Sequence, residues 1–234
     1  GQHKGHVRLH LLDQSDPVEV SFSRVKFTFK GPREHLSFFL SAYGPHRIMP
    51  RYNDESSELD IAPVISINNL WDPYESLIDA ERWMLSLDKK AFDAFALALK
   101  DLLDLRSDGL IYRNNKQLFF NIGGDKQSLD DLSAGYKSII ATATDIIASY
   151  PIKGIDMHQA TGIVMIDEIG AHLHPRWRMR IVEAYRRTFK GIQFLCTTHE
   201  PLCLRGTREK EVVVLVQDEG KIKRIIDVPN LEEM

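Results

Sequence analysis

The segment from residue 162 to residue 175 constrains the fold more than any other part of the chain. It contains a run of four apolar residues, 163–166, which predicts a short strand buried on both faces. Asp167 and Glu168 follow at once, where that strand would leave the sheet. Ligands of open parallel sheets bind at the carboxyl ends of the strands, so the acidic pair stands where chemistry is expected. The alternative interpretation is a pair of acids that caps the next element.

Two further motifs flank this segment. Upstream, residues 132–137 read Leu-Ser-Ala-Gly-Tyr-Lys, and Ser133 is the predicted N-cap of a helix. Downstream, the apolar run 192–196 is followed by Thr-Thr-His-Glu-Pro at residues 197–201. Each motif has an ordinary structural interpretation by itself, a capped helix upstream and a strand end downstream.

The chain between the two apolar runs predicts how they pair. A helix from about residue 175 to residue 189 would connect them, and strands joined in this way must be parallel. Neighbouring strands lie about 4.8 Å apart. We therefore expect Asp167, Glu168 and His199 to lie side by side at one edge of the sheet.

In this order the three motifs resemble the signature, Walker B and switch-histidine motifs of ABC-class ATPases. They are most similar to the RecF/SMC-like heads (AAA family ATPases) of bacterial DNA repair and antiphage defence, and the resemblance covers about residues 116–216. It implies an α/β, P-loop NTPase-like fold, with a partial parallel sheet, an antiparallel β subdomain and an inserted helical lobe. It also implies a head that binds and hydrolyses ATP with Mg²⁺, dimerises on nucleotide, and drives or gates a nucleic-acid-linked process.

The resemblance carries catalytic roles to three residues. Asp167 would hold Mg²⁺ through a water ligand, and Glu168 would act as the general base on the attacking water. His199 would reach the γ-phosphate of ATP and report its presence.

The resemblance also predicts the contacts between two heads. The N-terminus of the signature helix would bind the ATP of the opposing subunit, because a helix N-terminus is an anion site. The residues expected to contact nucleotide there are Ser133, Ala134, Gly135, Tyr136 and Lys137. Ala171 and His172 would belong to the D-loop, where the two subunits touch.

The sequence departs from the family pattern in several places. Gly-x-x-x-x-Gly-Lys-Ser/Thr occurs nowhere, and the glycine run at residues 123–128 has the wrong spacing for a P-loop. No glutamine lies between Gln14 and Gln117, so the Q-loop role is unassigned. Gly170 replaces an acid, and Glu200 replaces a serine and adds negative charge beside the expected γ-phosphate. We expect the chain to be a piece of a longer protein that supplies the P-loop, and to be inactive alone.

Local patterns predict three regions. Residues 1–60 form an antiparallel β subdomain and a Q-loop-like region, because residues 6–30 alternate, with a turn at 13–17 and a phase slip at 23–24. Residues 61–115 form the helical lobe, with a first helix capped by Asp72 and an apolar stripe in the second. Residues 116–234 complete the ATPase core and end in a hairpin.

Composition limits the setting. The net charge of −3 and the hydrophobic content of 43% are ordinary for a globular protein. Two cysteines without a disulfide framework indicate a reducing compartment. No apolar run approaches the length of a membrane span. We therefore predict a cytoplasmic protein without a membrane partner.

Other functions remain open on the sequence alone. One is a metal-dependent hydrolase, with ligands drawn from Asp167, Glu168, His172, His174 and His199. Another is a non-catalytic, ATP-gated module that controls an effector protein, and a transporter ATPase is a minor alternative. The helix at 176–190 carries five arginines, which predicts a surface for duplex DNA unless acids elsewhere balance them.

Overall fold

A computed structural model describes residues 4–9, 18–23, 26–30, 39–50, 65–105, 107–150, 158–208 and 210–225. The chain divides into two units, Gly1–Phe38 and Phe39–Met234. The first is an antiparallel sheet in the order β1-β2-β3, formed by β1 (Lys4–Leu9), β2 (Val18–Ser23) and β3 (Lys26–Lys30). The predicted turn at 13–17 and residue 24 of the predicted phase slip lie outside the described residues.

The second unit mixes strands and helices. In chain order its elements are β4 (Phe39–Tyr43), β5 (Ile65–Ser66), α1 (Asn68–Trp71), α2 (Ala80–Ser86), α3 (Lys89–Leu102), β6 (Leu110–Asn114), β7 (Gln117–Ile122), β8 (Asp125–Ser128), α4 (Ala134–Ala148), β9 (Thr161–Ile166), α5 (Pro175–Arg178), α6 (Ile181–Thr188), β10 (Gly191–Cys196), the 3₁₀ helix η1 (Pro201–Gly206), β11 (Val214–Asp218) and β12 (Lys221–Ile225).

A four-stranded parallel sheet with the order β10-β9-β4-β5 lies at the centre of this unit. Its register aligns Tyr43 with Ile166 and Ile166 with Cys196, so the carboxyl ends of three strands lie together. The predicted parallel pairing of the two apolar runs is confirmed. No helix of the described segments is long and apolar enough to cross a membrane.

Helix α4 is deeply buried, with all residues from 138 to 147 buried. Ser133 caps it as predicted, and its side chain accepts from the amide of Tyr136. A buried polar contact fastens α4 to β4: the Tyr43 hydroxyl donates to Asp145 Oδ2 at 2.8 Å. The other carboxylate oxygen of Asp145 accepts from the amide of Ile78 at 3.1 Å. A central strand, the signature helix and the segment before α2 are therefore held in one arrangement.

The helical lobe contains α2 and α3, followed by an antiparallel sheet in the order β6-β7-β8. The predicted apolar stripe of the second helix is buried, namely Phe92, Phe95, Ala96, Leu99, Leu102 and Leu103. The predicted cap at Asp72 is wrong, because the Asp72 carboxylate accepts from the amide of Tyr74 in a turn. The caps are Asp79 for α2 and Asp88 for α3.

Two other local predictions needed correction. The strands β6 and β8 were not expected from the sequence, and β8 is a polar strand without an alternating apolar pattern. The single helix predicted from 175 to 189 is two helices that break at Met179 and Arg180. Arg180 is the N-cap of the second helix, with φ −118°, and forms an ion pair with Asp104, two residues after the end of α3. The C-terminal hairpin is present as β11 and β12.

The three predicted regions, 1–60, 61–115 and 116–234, stay predictions about domain organisation. The boundary between the two observed units lies at Phe39, where β4 enters the parallel sheet. β4 and the loop that follows it therefore belong with the core that carries the candidate site.

Candidate active site

The carboxyl edge of the parallel sheet carries the acidic pair. Hydrogen bonds between neighbouring strands continue past their ends. The amide of Asp167 donates to the carbonyl of Tyr43 at 2.8 Å, and the amide of Thr197 donates to the carbonyl of Ile166 at 3.0 Å. The amide of Ile169 donates back to the carbonyl of Thr197 at 3.1 Å. The segments after β4, β9 and β10 are thus held as one layer.

Glu168 and His199 are direct neighbours on this edge. His199 Nδ1 lies 2.8 Å from Glu168 Oε1. The hydrogen bond and the negative charge of Glu168 raise the pKa of His199. Glu168 has φ +51°, a left-handed conformation that is uncommon for a residue with a side chain. The proposed base and the proposed γ-phosphate sensor therefore contact each other directly.

Thr197 organises both acids, a role that the sequence did not assign. Its hydroxyl donates to Asp167 Oδ1 and accepts from the amide of Glu168 at 2.9 Å. The same residue thereby orients the carboxylate of one acid and the backbone of the other. The signal available in the sequence was its place two residues before His199.

The charge of Glu200 is balanced within the chain. Arg178 Nη1 lies 2.7 Å from Glu200 Oε1, and both side chains are about a quarter exposed. The same oxygen is 3.8 Å from His199 Nε2, beyond hydrogen-bonding distance. The expectation that Glu200 adds negative charge beside the γ-phosphate stays a prediction, and the ion pair with Arg178 partly balances that charge.

The start of the signature helix packs against the loop that follows Glu168. Ser133 and Ala134 are exposed, whereas Gly135 is buried. A Cβ on Gly135 would lie 3.0 Å from the carbonyl oxygen of His172 and 3.3 Å from Leu173 Cδ2. Glycine therefore permits the close approach of the predicted signature and D-loop segments within one chain.

The side chains after Gly135 have partners inside the chain. Lys137 Nζ donates to the carbonyl of Asp130 at 2.6 Å, and Tyr136 packs edge-on against Trp177 with 5.5 Å between ring centres. A cavity of about 650 Å³ opens between the start of α4 and α5, lined in part by Ser133 and Tyr136. Ser133 and Ala134 are thus the more accessible residues of the predicted signature.

The predicted D-loop is a tight, ordered turn. The amide of Ala171 donates to the carbonyl of Glu168 at 2.9 Å, and His172 has φ +63°. A Cβ on Gly170 would lie 2.8 Å from Sγ of the buried Cys203. This close contact explains why a small residue stands where the family pattern more often has an acid.

A buried arginine, Arg47, contacts the backbone of the acidic pair, and no role for it was predicted from the sequence. It lies in the loop after β4 and is 7% exposed. Its Nη1 donates to the carbonyl of Asp167 at 3.0 Å and its Nη2 to that of Glu168 at 3.2 Å. The only sequence signal was its position in the Q-loop-like region.

The donor set fits Mg²⁺ better than a transition metal. The described residues contain no group of three or more His, Cys, Asp or Glu side chains that could hold a metal ion. His174 is used to cap α5, where Nδ1 accepts from the amide of Arg176 at 3.4 Å. Mg²⁺ needs only one or two carboxylates and completes its shell with water and phosphate. Asp167 can supply that carboxylate. The alternative of a metal-dependent hydrolase would need a cluster of three or more such ligands, which the described residues do not form.

The arginines of the predicted DNA surface have partners within the chain. Arg178 pairs with Glu200, Arg180 with Asp104 and Arg186 with Glu211. Arg187 donates to the carbonyl of Asp101 at 2.8 Å. Four of the five arginines thus contribute to packing among α3, α5, α6 and the segments near η1.

A protein-family model described as "AAA domain, putative AbiEii toxin, Type IV TA system" matches residues 30–205. The chain belongs to this AAA-domain family. The match includes the loop with Arg47, the signature helix, the acidic pair and His199.

Curated relatives agree with this assignment. The Septu protein PtuA of Bacillus mycoides (strain KBAB4) is 33% identical over 224 residues, which cover 94% of this chain and 31% of that protein. The "Retron Vc95 probable ATPase" of Vibrio cholerae serotype O1 biovar El Tor is 34% identical over 110 residues, 46% of this chain and 21% of that protein. The "Retron Ec83 probable ATPase" of Escherichia coli is 43% identical over 77 residues, 32% of this chain and 14% of that protein. The chain spans less than a third of each relative's length.

A solved structure confirms the fold. The SMC head domain from Thermotoga maritima superposes with a TM-score of 0.52, covering 97% of this chain and 75% of that one at 13% identity. At this identity the likeness concerns the fold alone. The predicted resemblance to RecF/SMC-like AAA ATPase heads, and the predicted P-loop NTPase-like fold, are confirmed.

Proposed function

We propose that this chain is the part of an ATPase head that hydrolyses ATP and closes on a second head, within a system of antiphage defence. The observation that carries the proposal is the 2.8 Å contact of Glu168 with His199 beside Asp167 at the carboxyl edge of a parallel sheet. The family match and the names of the Septu and retron relatives support the ATPase class and the defence setting.

The residues at this edge have distinct roles in the proposal. Asp167 would hold Mg²⁺ through a water ligand, and the ion would neutralise charge on the phosphates. Glu168 would accept a proton from the attacking water. His199 would exchange its contact with Glu168 for the γ-phosphate when nucleotide arrives, which frees the carboxylate for the water. Thr197 would keep both acids oriented during this exchange.

The signature would act on a second copy of the head. Ser133 and Ala134 are exposed at the N-terminus of a 15-residue helix, which favours an anion. His172 and Leu173 lie against Gly135, so the predicted D-loop and signature would form one surface. This arrangement supports an ATP-dependent homodimer in which each signature closes over the partner's nucleotide.

The proposed function also requires a P-loop to bind the phosphates, and this sequence contains no such motif. No Gly-x-x-x-x-Gly-Lys-Ser/Thr occurs in the sequence, and the curated relatives are more than three times as long as the part they share with this chain. We propose that the P-loop comes from elsewhere in the intact protein. Two free cysteines fit a reducing, cytoplasmic setting.

A non-catalytic head that gates an effector protein is the second candidate. Such a head would still close on a second head when ATP binds, and would differ from the first candidate only in that it does not hydrolyse the ATP. The direct contact between Glu168 and His199 favours hydrolysis, because a gate alone needs no base. A duplex-DNA surface on residues 176–190 stays a prediction, and the intramolecular partners of its arginines weaken it.

Replacing Glu168 with glutamine in the intact protein tests the proposal. The variant keeps the size of the side chain and loses the base, so ATP should still bind while hydrolysis falls by at least ~10²-fold. We expect a nucleotide-bound dimer that persists, measured by size-exclusion chromatography with ATP. Glu183→Gln, the same change at an exposed site on α6, is the matched control and should behave as wild type.

The outcomes separate the candidates. A wild-type protein that dimerises on ATP without turnover would select the non-catalytic gate. A Glu168→Gln variant that hydrolyses ATP at the wild-type rate would refute the role of Glu168. Zinc or manganese retained by the purified protein would revive the metal-dependent hydrolase.

A further inference from the structure

The loop after β4 is fastened to the protein by one buried amide side chain. Asn69 is 4% exposed, and its Oδ1 accepts from the amide of Gly44 at 3.0 Å. Its Nδ2 donates to the carbonyls of His46 at 3.0 Å and Glu75 at 2.8 Å. The backbone that carries Arg47 therefore has a fixed position relative to the sheet.

From this position Arg47 reaches three parts of the fold. Nε donates to Ser138 Oγ at 2.9 Å on the signature helix α4. Nη1 donates to the carbonyls of Gly44 at 2.9 Å and Asp167 at 3.0 Å, and Nη2 to that of Glu168 at 3.2 Å. A single guanidinium thus joins the loop after β4, the signature helix and the acidic pair.

The charge of Arg47 forms no ion pair with a carboxylate of the described residues. Burial lowers the pKa of its guanidinium, and the negative charges of Asp167 and Glu168 only partly oppose this effect. Burying a charge that meets only carbonyl and hydroxyl oxygens is costly compared with leaving it in water. Stability alone gives a weak reason for an arginine here, whereas a planar group with several donors is suited to orienting carbonyls.

The carbonyls that Arg47 contacts flank the Cα of Glu168. The Glu168 amide donates to Thr197 Oγ1, and its carbonyl accepts from both Arg47 and the amide of Ala171. Both peptide planes beside Cα are therefore fixed, which holds the residue at φ +51°. The direction of the carboxylate toward His199 follows from these backbone contacts.

We propose that Arg47 is a positioning residue that couples the signature helix to the direction of the Glu168 carboxylate. Ser138 lies five residues after the cap Ser133 on the same helix. A shift of α4 when the opposing head closes moves the Nε contact, and the guanidinium passes the shift to the carbonyls of Asp167 and Glu168. The inference rests on the proposed function and specifies how the two halves of the site communicate.

The test uses the intact protein with two substitutions. Arg47→Met keeps an unbranched apolar stem and removes the guanidinium with all four of its hydrogen bonds. We expect kcat to fall about 10²-fold, the loss that a small misplacement of a catalytic group produces, with the KM for ATP unchanged within about threefold. The ATP-bound dimer should persist, as for Glu168→Gln. A variant that was only misfolded would lose ATP binding and the dimer together.

Ser138→Ala isolates the coupling, because it leaves the contacts of Arg47 with the carbonyls in place. We expect ATP binding to be retained and kcat to fall by at least several-fold. Arg208→Met, an exposed arginine outside the site, is the matched control and should match wild type.

The results distinguish this inference from the proposed function. If wild type hydrolyses ATP and Glu168→Gln does not, the proposed function stands. In that case the positioning role of Arg47 would be overturned by either of two results for Arg47→Met. One is a kcat equal to that of wild type, and the other is a loss of ATP binding together with activity. A Ser138→Ala variant with wild-type kcat would overturn the coupling to α4. An inactive wild type would instead count against the proposed function itself.

Discussion

At the scale of single residues, the candidate site is defined by directional hydrogen bonds more than by charge. The Thr197 hydroxyl has one proton, which it gives to Asp167, and it accepts the Glu168 amide with a lone pair. If Asp167 holds Mg²⁺ as proposed, it would share this oxygen with the ion's water ligand or use its other oxygen. The carboxylate of Glu168 also has a partner already, because it contacts His199. Under the proposed function, nucleotide would replace these contacts of Asp167 and Glu168.

The pair of Glu168 and His199 predicts a pH dependence. Glu168 raises the pKa of His199, so the folded protein favours the protonated ring. The contact then contributes fully below the unfolded-state pKa of about 6.5, and its contribution is lost as pH rises through the higher folded value. We expect Glu168→Gln to lower the pKa of His199, measured by NMR titration of its ring protons in the intact protein. Glu183→Gln should leave it unchanged, and an equal pKa in both variants would contradict the pairing.

At the scale of elements, the polar contact between β4 and α4 holds the signature helix on the sheet. Tyr43 is fully buried and Asp145 is 6% exposed, and both groups lie in the core of the unit. Burial raises the pKa of Asp145, whereas the hydrogen bonds from Ile78 and Tyr43 oppose the increase. Because β4 also leads into the loop of Arg47, this contact positions both ends of the proposed coupling.

Removing the Tyr43 hydroxyl should destabilise the fold. Tyr43→Phe leaves a buried carboxyl oxygen without its donor, which costs about 1–3 kcal/mol in the free energy of unfolding. The raised pKa of Asp145 means that its contribution to stability is full below the unfolded pKa and declines as pH rises through the folded one. We expect Asp145→Asn to flatten that decline. Denaturant unfolding over a pH series measures both effects.

A matched control exists for this prediction. Tyr112→Phe removes the same atom from a half-buried tyrosine on β6, in a different sheet, and should change the free energy of unfolding by much less. Equal losses at Tyr43 and Tyr112 would show that the contact with Asp145 contributes nothing specific.

At the scale of the whole molecule, the sequence carries some of the parts that the proposed nucleotide site needs and lacks the P-loop motif. Under the proposal the chain would supply the acidic pair, the switch histidine and the signature helix, and a P-loop would supply most of the affinity for phosphate. The relatives are several times longer than this chain's matching part. The isolated chain and the intact protein should therefore differ in activity.

We expect the isolated 234-residue chain to hydrolyse no ATP. Without a phosphate cradle, the acidic pair has no bound triphosphate on which to act. A phosphate-release assay on the chain and on its Glu168→Ala variant, with circular dichroism to verify folding, measures this. Hydrolysis above the level of that variant would show that the chain binds nucleotide through another element.

The sequence by itself determined the features that arise from local periodicity and from short motifs. The apolar runs 163–166 and 192–196 predicted parallel strands, and the stripe on α3 predicted its buried face. Ser133 predicted the start of α4 because a cap is a contact within one turn. The three motifs are short stretches of sequence at a strand end or a helix start. Their order along the chain was therefore sufficient to predict the family.

The tertiary structure decided what depends on partners distant in sequence. Asp72 could cap a helix or a turn, and only the packed chain shows that it caps a turn. Arg47 reaches Glu168 across 121 positions, and Thr197 reaches it across 29, so no local pattern marks them. Arg178 and Glu200 are likewise paired only once α5 lies beside the segment after β10. Hydrogen bonds and ion pairs of this kind are set by three-dimensional distance, which the periodicity of a sequence does not encode.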